Sequence, residues 1–134
     1  MLNNNFEFLI SSESDIITVR RKVRKFSEEM GFGLTDVTRI VTAASELARN
    51  IVLFAGQGFM KCNKLVNEQK TGLELIFGDQ GPGIPDIELA LTEGYSTRNG
   101  LGLGLPGTKR LMDEMEIHSE VNKGTLIKVI KWLR

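Results

Sequence analysis

Asp79-Gln80-Gly81-Pro82-Gly83-Ile84 is followed downstream by a second glycine cluster, Gly100-Leu101-Gly102-Leu103-Gly104-Leu105. Glycine admits positive φ and lets backbone approach a ligand closely, while a carboxylate at the head of the first cluster offers an acceptor to a base edge. Either cluster alone reads equally well as a surface loop; the two together predict a nucleotide pocket. The pocket is not a P-loop, which needs Lys-Ser or Lys-Thr directly after its last glycine, because Gly104 is followed by Leu105-Pro106-Gly107. Gly102 to Gly107 also fits G-x-G-x-x-G, but a dinucleotide site needs a hydrophobic strand just before it, and Tyr95-Ser96-Thr97-Arg98-Asn99 stands there. That match is accidental.

Outward from this centre, Leu73 to Phe77 reads as a strand that delivers Asp79 at its end, and Phe59 to Val66 reads as its partner across a polar turn, Asn67 to Gly72. Downstream, Asp86 to Glu93 suits a short helix. Pro106-Gly107-Thr108 starts another through Met115, with Leu111, Met112 and Met115 facing inward. Glu116 to Val121 and Thr125 to Leu133 close as a hairpin about Asn122-Lys123-Gly124. Upstream, Thr35-Asp36 opens a long helix whose apolar positions run from Val37 through Leu47 to Ala55, until Gly56 and Gly58. Before it, Ser14-Asp15 caps a helix carrying Ile16, Val19, Val23 and Phe26, ended by Gly31; its Arg20, Arg21, Lys22, Arg24 and Lys25 suit a solvated face better than a binding patch. Phe6, Phe8 and Ile10 alternate as a short edge or exchange strand. The expectation is an α/β sandwich of the α+β class, one mixed and mostly antiparallel sheet under a layer of helices, folded as a single domain over residues 1–134.

Hydrophobic residues make up 41% and charged residues 25%, and 17 basic side chains cancel 17 acidic ones, so neither disorder nor a field that gathers nucleic acid is expected. Cys62 is the sole cysteine, which excludes an internal disulfide and suits a reducing cytoplasm. The start Met1-Leu2-Asn3-Asn4-Asn5 is unlike a signal peptide, and no apolar run approaches the roughly 18 residues of a membrane span. Phe32, Leu34, Phe54 and Phe59 suit a partner surface or the core, and core is the reading taken. His118, the lone histidine, reads as structural.

Glu46 and Asn50 are four apart on the long helix and so share a face, with Cβ atoms about 5–6 Å apart. An amide oxygen suits magnesium, which keeps most of its shell as water and phosphate oxygens, and a carboxylate one turn away suits a general base in phosphoryl transfer. Spacing alone equally allows Glu46 to pair with Arg49 or Arg39 on a wet helix face. Ala43, Ala44, Leu47, Ala48 and Ile51 make this helix so apolar that polar groups on it are expected to line something polar.

With Glu46 and Asn50 in place of an N-box, the glycine pattern resembles the Bergerat-fold ATPases shared by gyrase, Hsp90, MutL and histidine kinases, over about Thr35 to Arg134. Ser45-Glu46-Leu47-Ala48-Arg49-Asn50-Ile51, then Asp79 to Asp86, then Gly104 to Glu114, and the ending Ile130-Lys131-Trp132-Leu133-Arg134 resemble the RsbT-type serine/threonine kinases of the bacterial stressosome. The resemblance implies ATP and Mg2+. Asp79 would bind the adenine amino group, with Gly81, Gly83 and Ile84 turning the chain around the base and Thr125 supporting it through its hydroxyl and water. Asn50 would hold the magnesium and Glu46 would be the catalytic base. Gly100, Leu101, Gly102, Leu103 and Gly104 would form a lid, the amides from Leu105 to Thr108 would meet phosphate at a helix start, and Arg98 and Lys109 would contact phosphate.

The segment between Pro85 and Gly100 is shorter than many histidine kinase and chaperone lids, and Ile51-Val52-Leu53-Phe54-Ala55-Gly56 replaces the histidine-containing run of the anti-sigma members, which looks like the switch-kinase branch. The resemblance then implies a cytoplasmic kinase that phosphorylates a serine or threonine on a STAS-domain antagonist or scaffold and, once released, activates a PP2C-type phosphatase, with a weak homodimer as a further expectation. The rivals are an anti-sigma factor kinase that holds a sigma factor directly and a nucleotide-dependent binding module without transfer.

Overall fold

Period-two alternation lays two apolar rows across one face of a five-stranded sheet, Phe8-Met60-Phe77-Ile127-Ile117 and Phe6-Cys62-Leu75-Val129-Met115. The computed structural model describes residues 5–92 and 104–134. Its strands are β1 (Phe6–Ile10), β2 (Gly58–Asn67), β3 (Lys70–Asp79), β4 (Glu114–Glu120) and β5 (Gly124–Trp132), in the order β1-β2-β3-β5-β4. Each of these pairings is antiparallel, so the mixed sheet foreseen contains no parallel pair among the described residues. The outward row Glu7-Lys61-Ile76-Lys128-Glu116 is largely charged, which suits a sheet with one face on the core and one in water.

The inner rows are roofed by α1 (Glu13–Met30) and α2 (Leu34–Asn50). Val37, Ile40, Val41, Ala43, Ala44, Leu47 and Ala48 of α2 are all buried, since the helix is pressed between the sheet, α1 and a later helix. Each fully buried Leu, Ile or Val contributes roughly 1.5–3 kcal/mol, so Ile40, Leu47 and Leu75, at 0–1% exposure, anchor this contact. Burial pushes the Cys62 thiol up to about 12, which leaves it an inert core residue.

Several boundaries differ from those expected. Ser12, not Ser14-Asp15, caps α1, and Asp15 reaches back from the third helical position to accept the N–H groups of Ser11 and Ser12 at 2.8 and 3.1 Å. Gly33 caps α2, which starts at Leu34, one residue before the expected Thr35-Asp36 start. The same helix does not stay α-helical to Gly56: Ile51–Ala55 form a π-helical turn closed by a Gly56 N–H to Ile51 carbonyl bond of 2.8 Å. β2 and β3 extend to Asn67 and from Lys70, so only Glu68 and Gln69 remain as the turn, with Glu68 at φ 55°. The helix expected over Asp86 to Glu93 is α3 (Ile87–Ala90), capped by the Asp86 carboxylate on the Leu89 N–H at 3.0 Å. The last helix, α4 (Leu105–Leu111), ends before Met115, which belongs to β4. Phe32 is core, but Leu34 is 77% and Phe54 39% exposed, and Phe59 lies on the outer face against Gly78.

Candidate functional site

β3 ends on Asp79, and the chain then turns back over the sheet through Gly81, Pro82 and Gly83. Between this loop, the π turn and the ends of β3 and β5 lies a cavity of about 380 Å3 whose wall is mostly apolar, with Asn50, Asp79 and Thr125 among its few polar groups. The Gly81 N–H donates to Asp79 Oδ1 at 2.8 Å, which fixes the carboxylate and leaves Oδ2 for a ligand. Thr125 is the register partner of Asp79 on β5, so the two side chains meet at one end of the cavity.

The loop is clasped from below by the β4–β5 hairpin. The Asn122 N–H donates to the Pro82 carbonyl at 2.8 Å, and the Ile84 N–H donates to Ser119 Oγ at 2.7 Å. Gly83 has φ 79° and lies so close that a Cβ would strike the Glu120 carbonyl, so both its backbone angle and its lack of a side chain are required here. Ser119 Oγ also donates to the Gly124 carbonyl at 3.1 Å and lies 2.8 Å from Thr125 Oγ1.

The opposite end is built by α2 and α4. Gly104, at φ 62°, precedes α4, and a Cβ there would stand 2.7 Å from Glu46 Oε2, so the glycine allows the carboxylate to lie against the backbone at the start of α4. Glu46 is about one-third exposed and pairs with Arg49 at 3.4 Å. The helix-face pairing weighed from spacing is therefore present, and it coexists with the approach to Gly104. Asn50, one turn on, lines the cavity with its amide oxygen buried.

The foot of α4 is held as well. Lys131 Nζ, nearly buried, donates to the Leu111 carbonyl at 2.8 Å and sits within 3.8 Å of Asp36 and 3.7 Å of Asp113. Asp113 takes both guanidinium nitrogens of Arg134, at 2.9 and 3.1 Å, and the Trp132 N–H at 2.8 Å. Burial acts to raise the Asp113 pKa, but the Arg134 and Trp132 hydrogen bonds and the Lys131 and Arg134 charges outweigh it and hold the carboxyl below 3.8.

Of the residues singled out from sequence, Asn50, Asp79, Gly83, Ile84, Leu105 and Thr125 line this one cavity. Gly81 stands behind it, holding Asp79 and packing on Ala55, and Glu46 stands beside it at Gly104. Thr108 is turned away: its hydroxyl and its N–H both donate to the Gly104 carbonyl at 3.0 Å. Pro106 has no N–H, so of the amides expected to meet phosphate only those of Leu105 and Gly107 remain at this helix start. Lys109 is exposed in the last turn of α4 and does not line the cavity. Arg98, Gly100, Leu101, Gly102 and Leu103 lie outside the described residues. Ser119 and Asn122 were not read as supports of the site: Ser119 stood only in the first arm of the expected hairpin and Asn122 only in its turn. Phe54 and Ala55 reach the cavity because the π turn re-aims them.

The residues fit a nucleotide: a carboxylate and a hydroxyl for the base edge, an apolar wall for the ring, and glycine backbone where a Cβ would intrude. They also fit a magnesium ion held chiefly by phosphate and water. Asn50 and Glu46 supply hard oxygens, and no cluster of three or more His, Cys, Asp or Glu occurs among the described residues. No helix among them is long and apolar enough to cross a membrane.

Comparison with known proteins agrees with this geometry. Residues 10–131 match the histidine kinase-like ATPase domain. The chain is 51% identical over 125 residues to serine/threonine-protein kinase RsbT of Bacillus subtilis, covering 93% of this chain and 94% of that protein. It is 30% identical over 139 residues to an anti-sigma F factor of Caldanaerobacter subterraneus, covering 98% and 95%. Among solved structures, the RsbU and RsbW domains of Rv1364c from Mycobacterium tuberculosis superpose with a TM-score of 0.62 at 18% identity, covering 97% of this chain and 33% of that longer one. At that identity the likeness concerns the fold.

Proposed function

The chain belongs to the histidine kinase-like ATPase family, in the branch of RsbT-type serine/threonine kinases, and from that premise we propose that it transfers the γ-phosphoryl of ATP to a serine or threonine of a STAS-domain antagonist or scaffold protein. The observation that carries this reading is that one helix, α2, brings Asn50 to the cavity wall and Glu46 to the backbone at Gly104. Metal holding and proton transfer are thereby tied to one rigid element.

Asp79 accepts a hydrogen bond from the base amino group, and Thr125 supports it from the neighbouring strand. Ile84, Phe77 and Leu105 cover the ring and exclude water. Asn50 would hold the magnesium, which when bound neutralises charge on the phosphate oxygens. Glu46 takes the proton from the incoming serine or threonine hydroxyl as its oxygen bonds to the γ-phosphorus; the bond from that phosphorus to the bridging oxygen breaks, and ADP leaves with the electron pair. The partial exposure of Glu46 suits an incoming protein side chain.

The same reading has the chain act in the cytoplasm as one domain, leave its scaffold once that partner is phosphorylated, and activate a PP2C-type phosphatase. Similarity to anti-sigma F factors favours a second reading, direct capture of a sigma factor, which co-purification with a sigma factor would support. The test is transfer of labelled phosphate from magnesium-ATP to a STAS-domain protein of the same genome. Label on serine or threonine, lost with Glu46→Ala and with Asn50→Ala, supports the kinase. Intact ATP binding and STAS capture with no label in the wild type would leave a nucleotide-gated binding module instead.

A further inference from the structure

Ser119 does not line the nucleotide cavity, yet it touches three groups that shape it: the Ile84 N–H, the Gly124 carbonyl and Thr125 Oγ1. We propose that Ser119 is a positioning residue that fixes Thr125 as a hydrogen-bond acceptor toward the base, and so makes this site select an amino group over a carbonyl. The inference rests on reading the cavity as an adenine site.

The assignment follows from counting protons. A hydroxyl has one proton to donate and two lone pairs to accept with. The Ile84 amide can only donate, so it occupies one lone pair of Ser119 Oγ at 2.7 Å. The Gly124 carbonyl can only accept, so it takes the one Ser119 proton at 3.1 Å. The contact of 2.8 Å to Thr125 is then a hydrogen bond only if Thr125 donates. With its proton committed to Ser119, Thr125 turns lone pairs alone toward the cavity. Its register partner Asp79 is a carboxylate whose Oδ1 already accepts the Gly81 N–H.

Two acceptors side by side match the exocyclic amino group of adenine, which has two protons to give. Guanine carries a carbonyl oxygen at the equivalent ring position and would set lone pair against lone pair. A site built to hydrogen-bond one group rejects its analogue because the site's own polar atoms are left unpaired. Without the Ser119 hydroxyl, the Thr125 proton is free to turn into the cavity, where one donor beside one acceptor tolerates a carbonyl. Selectivity is thus set one residue behind the residues that touch the base.

The experiment is equilibrium binding of ATP and of GTP to the full chain, for wild type, Ser119→Ala, Ser119→Thr, Thr125→Val and Asp79→Asn, with thermal melting of each. Ser119→Ala is expected to cut the ATP-to-GTP affinity ratio about tenfold, the equivalent of one hydrogen bond to a polar group. Ser119→Thr restores it. A role confined to folding would weaken both nucleotides together and leave the ratio at the wild-type value, which overturns the proposal. If Ser119→Ala does not fold, Thr125→Val carries the test, since it too must lose the discrimination, and an unchanged ratio there counts equally against it. Undiminished ATP binding by Asp79→Asn would overturn the adenine-site reading itself. Weakened ATP binding by Asp79→Asn beside a wild-type ratio in Ser119→Ala overturns the role of Ser119 alone.

Discussion

The two ends of the cavity are held in different ways. At the end proposed to bind the base, Pro82 and Ile84 are tied to the β4–β5 hairpin by hydrogen bonds of 2.8 and 2.7 Å, Ser119 of that hairpin lies 2.8 Å from the Thr125 hydroxyl, and the Gly81 N–H holds Asp79 at 2.8 Å. At the end proposed to hold phosphate, Glu46 pairs with Arg49 at 3.4 Å among the described residues and has the Gly104 backbone for a neighbour. Satisfied, partly buried networks are rigid, while a partly exposed carboxylate with one long ion pair is free to re-orient. On the proposed reading, fixed groups read the base and the carboxylate proposed as the general base stays adjustable, as would suit a kinase that accepts a protein substrate and then lets it go.

Substituting Gly83 by Val should break the fixed end outright. The new side chain would meet the Glu120 carbonyl at a backbone angle that β-branched residues avoid. The expected loss is about 3 kcal/mol in stability, read as a lower denaturation midpoint, together with ATP binding too weak to detect by calorimetry. Gly104→Ala should be milder and fall on the other end. Its Cβ would meet the far end of a flexible Glu46 side chain, which can move aside. A stability cost near 1 kcal/mol, ATP affinity within a few-fold of wild type and a transfer rate lower by about tenfold or more would separate the two ends. Equal loss of ATP affinity in both variants would erase the distinction.

The smallest effect concerns the foot of α4. The Asp113 carboxyl is held below 3.8 in the folded chain, so its contribution to stability is complete above its ordinary value and is lost as pH falls through the lower folded value. Asp113→Asn is expected to lower stability at neutral pH and to flatten acid unfolding below about pH 4, measured by denaturant midpoints across pH. An acid-unfolding profile identical to wild type would show that the Lys131 and Arg134 clasp on Asp113 does not stabilise the foot of α4.

What was legible in the sequence follows the same division by locality. Asp79 shows itself as an acid at the end of an alternating run, and Glu46 and Asn50 show themselves by a spacing that any helix turns into adjacency. Ser119 is silent, because alternation says which face a strand residue takes but not which residue lies opposite it; the Ser119 to Thr125 register depends on a turn fixed by Asn122 at φ 67°. The π turn was hidden because Ile51 to Ala55 continues the apolar pattern of α2 without a break. Several residues in Ser11-Ser12-Glu13-Ser14-Asp15 are good caps, and only the reach of Asp15 back to Ser11 and Ser12 decides among them. Met115 fits the inward face of either a helix or a strand, and tertiary pairing with Val129 chose the strand.

The most direct test of the kinase reading is the single-turnover rate of phosphoryl transfer by Glu46→Gln at saturating magnesium-ATP, with nucleotide affinity measured on the same sample. Removing a general base while keeping the shape of the side chain should slow transfer by about 10²–10⁴-fold and leave ATP affinity unchanged, since Asp79 and Thr125 at the fixed end are untouched. A transfer rate equal to wild type would contradict the assignment of Glu46 as the base and, with it, the division of labour between the two ends of the cavity.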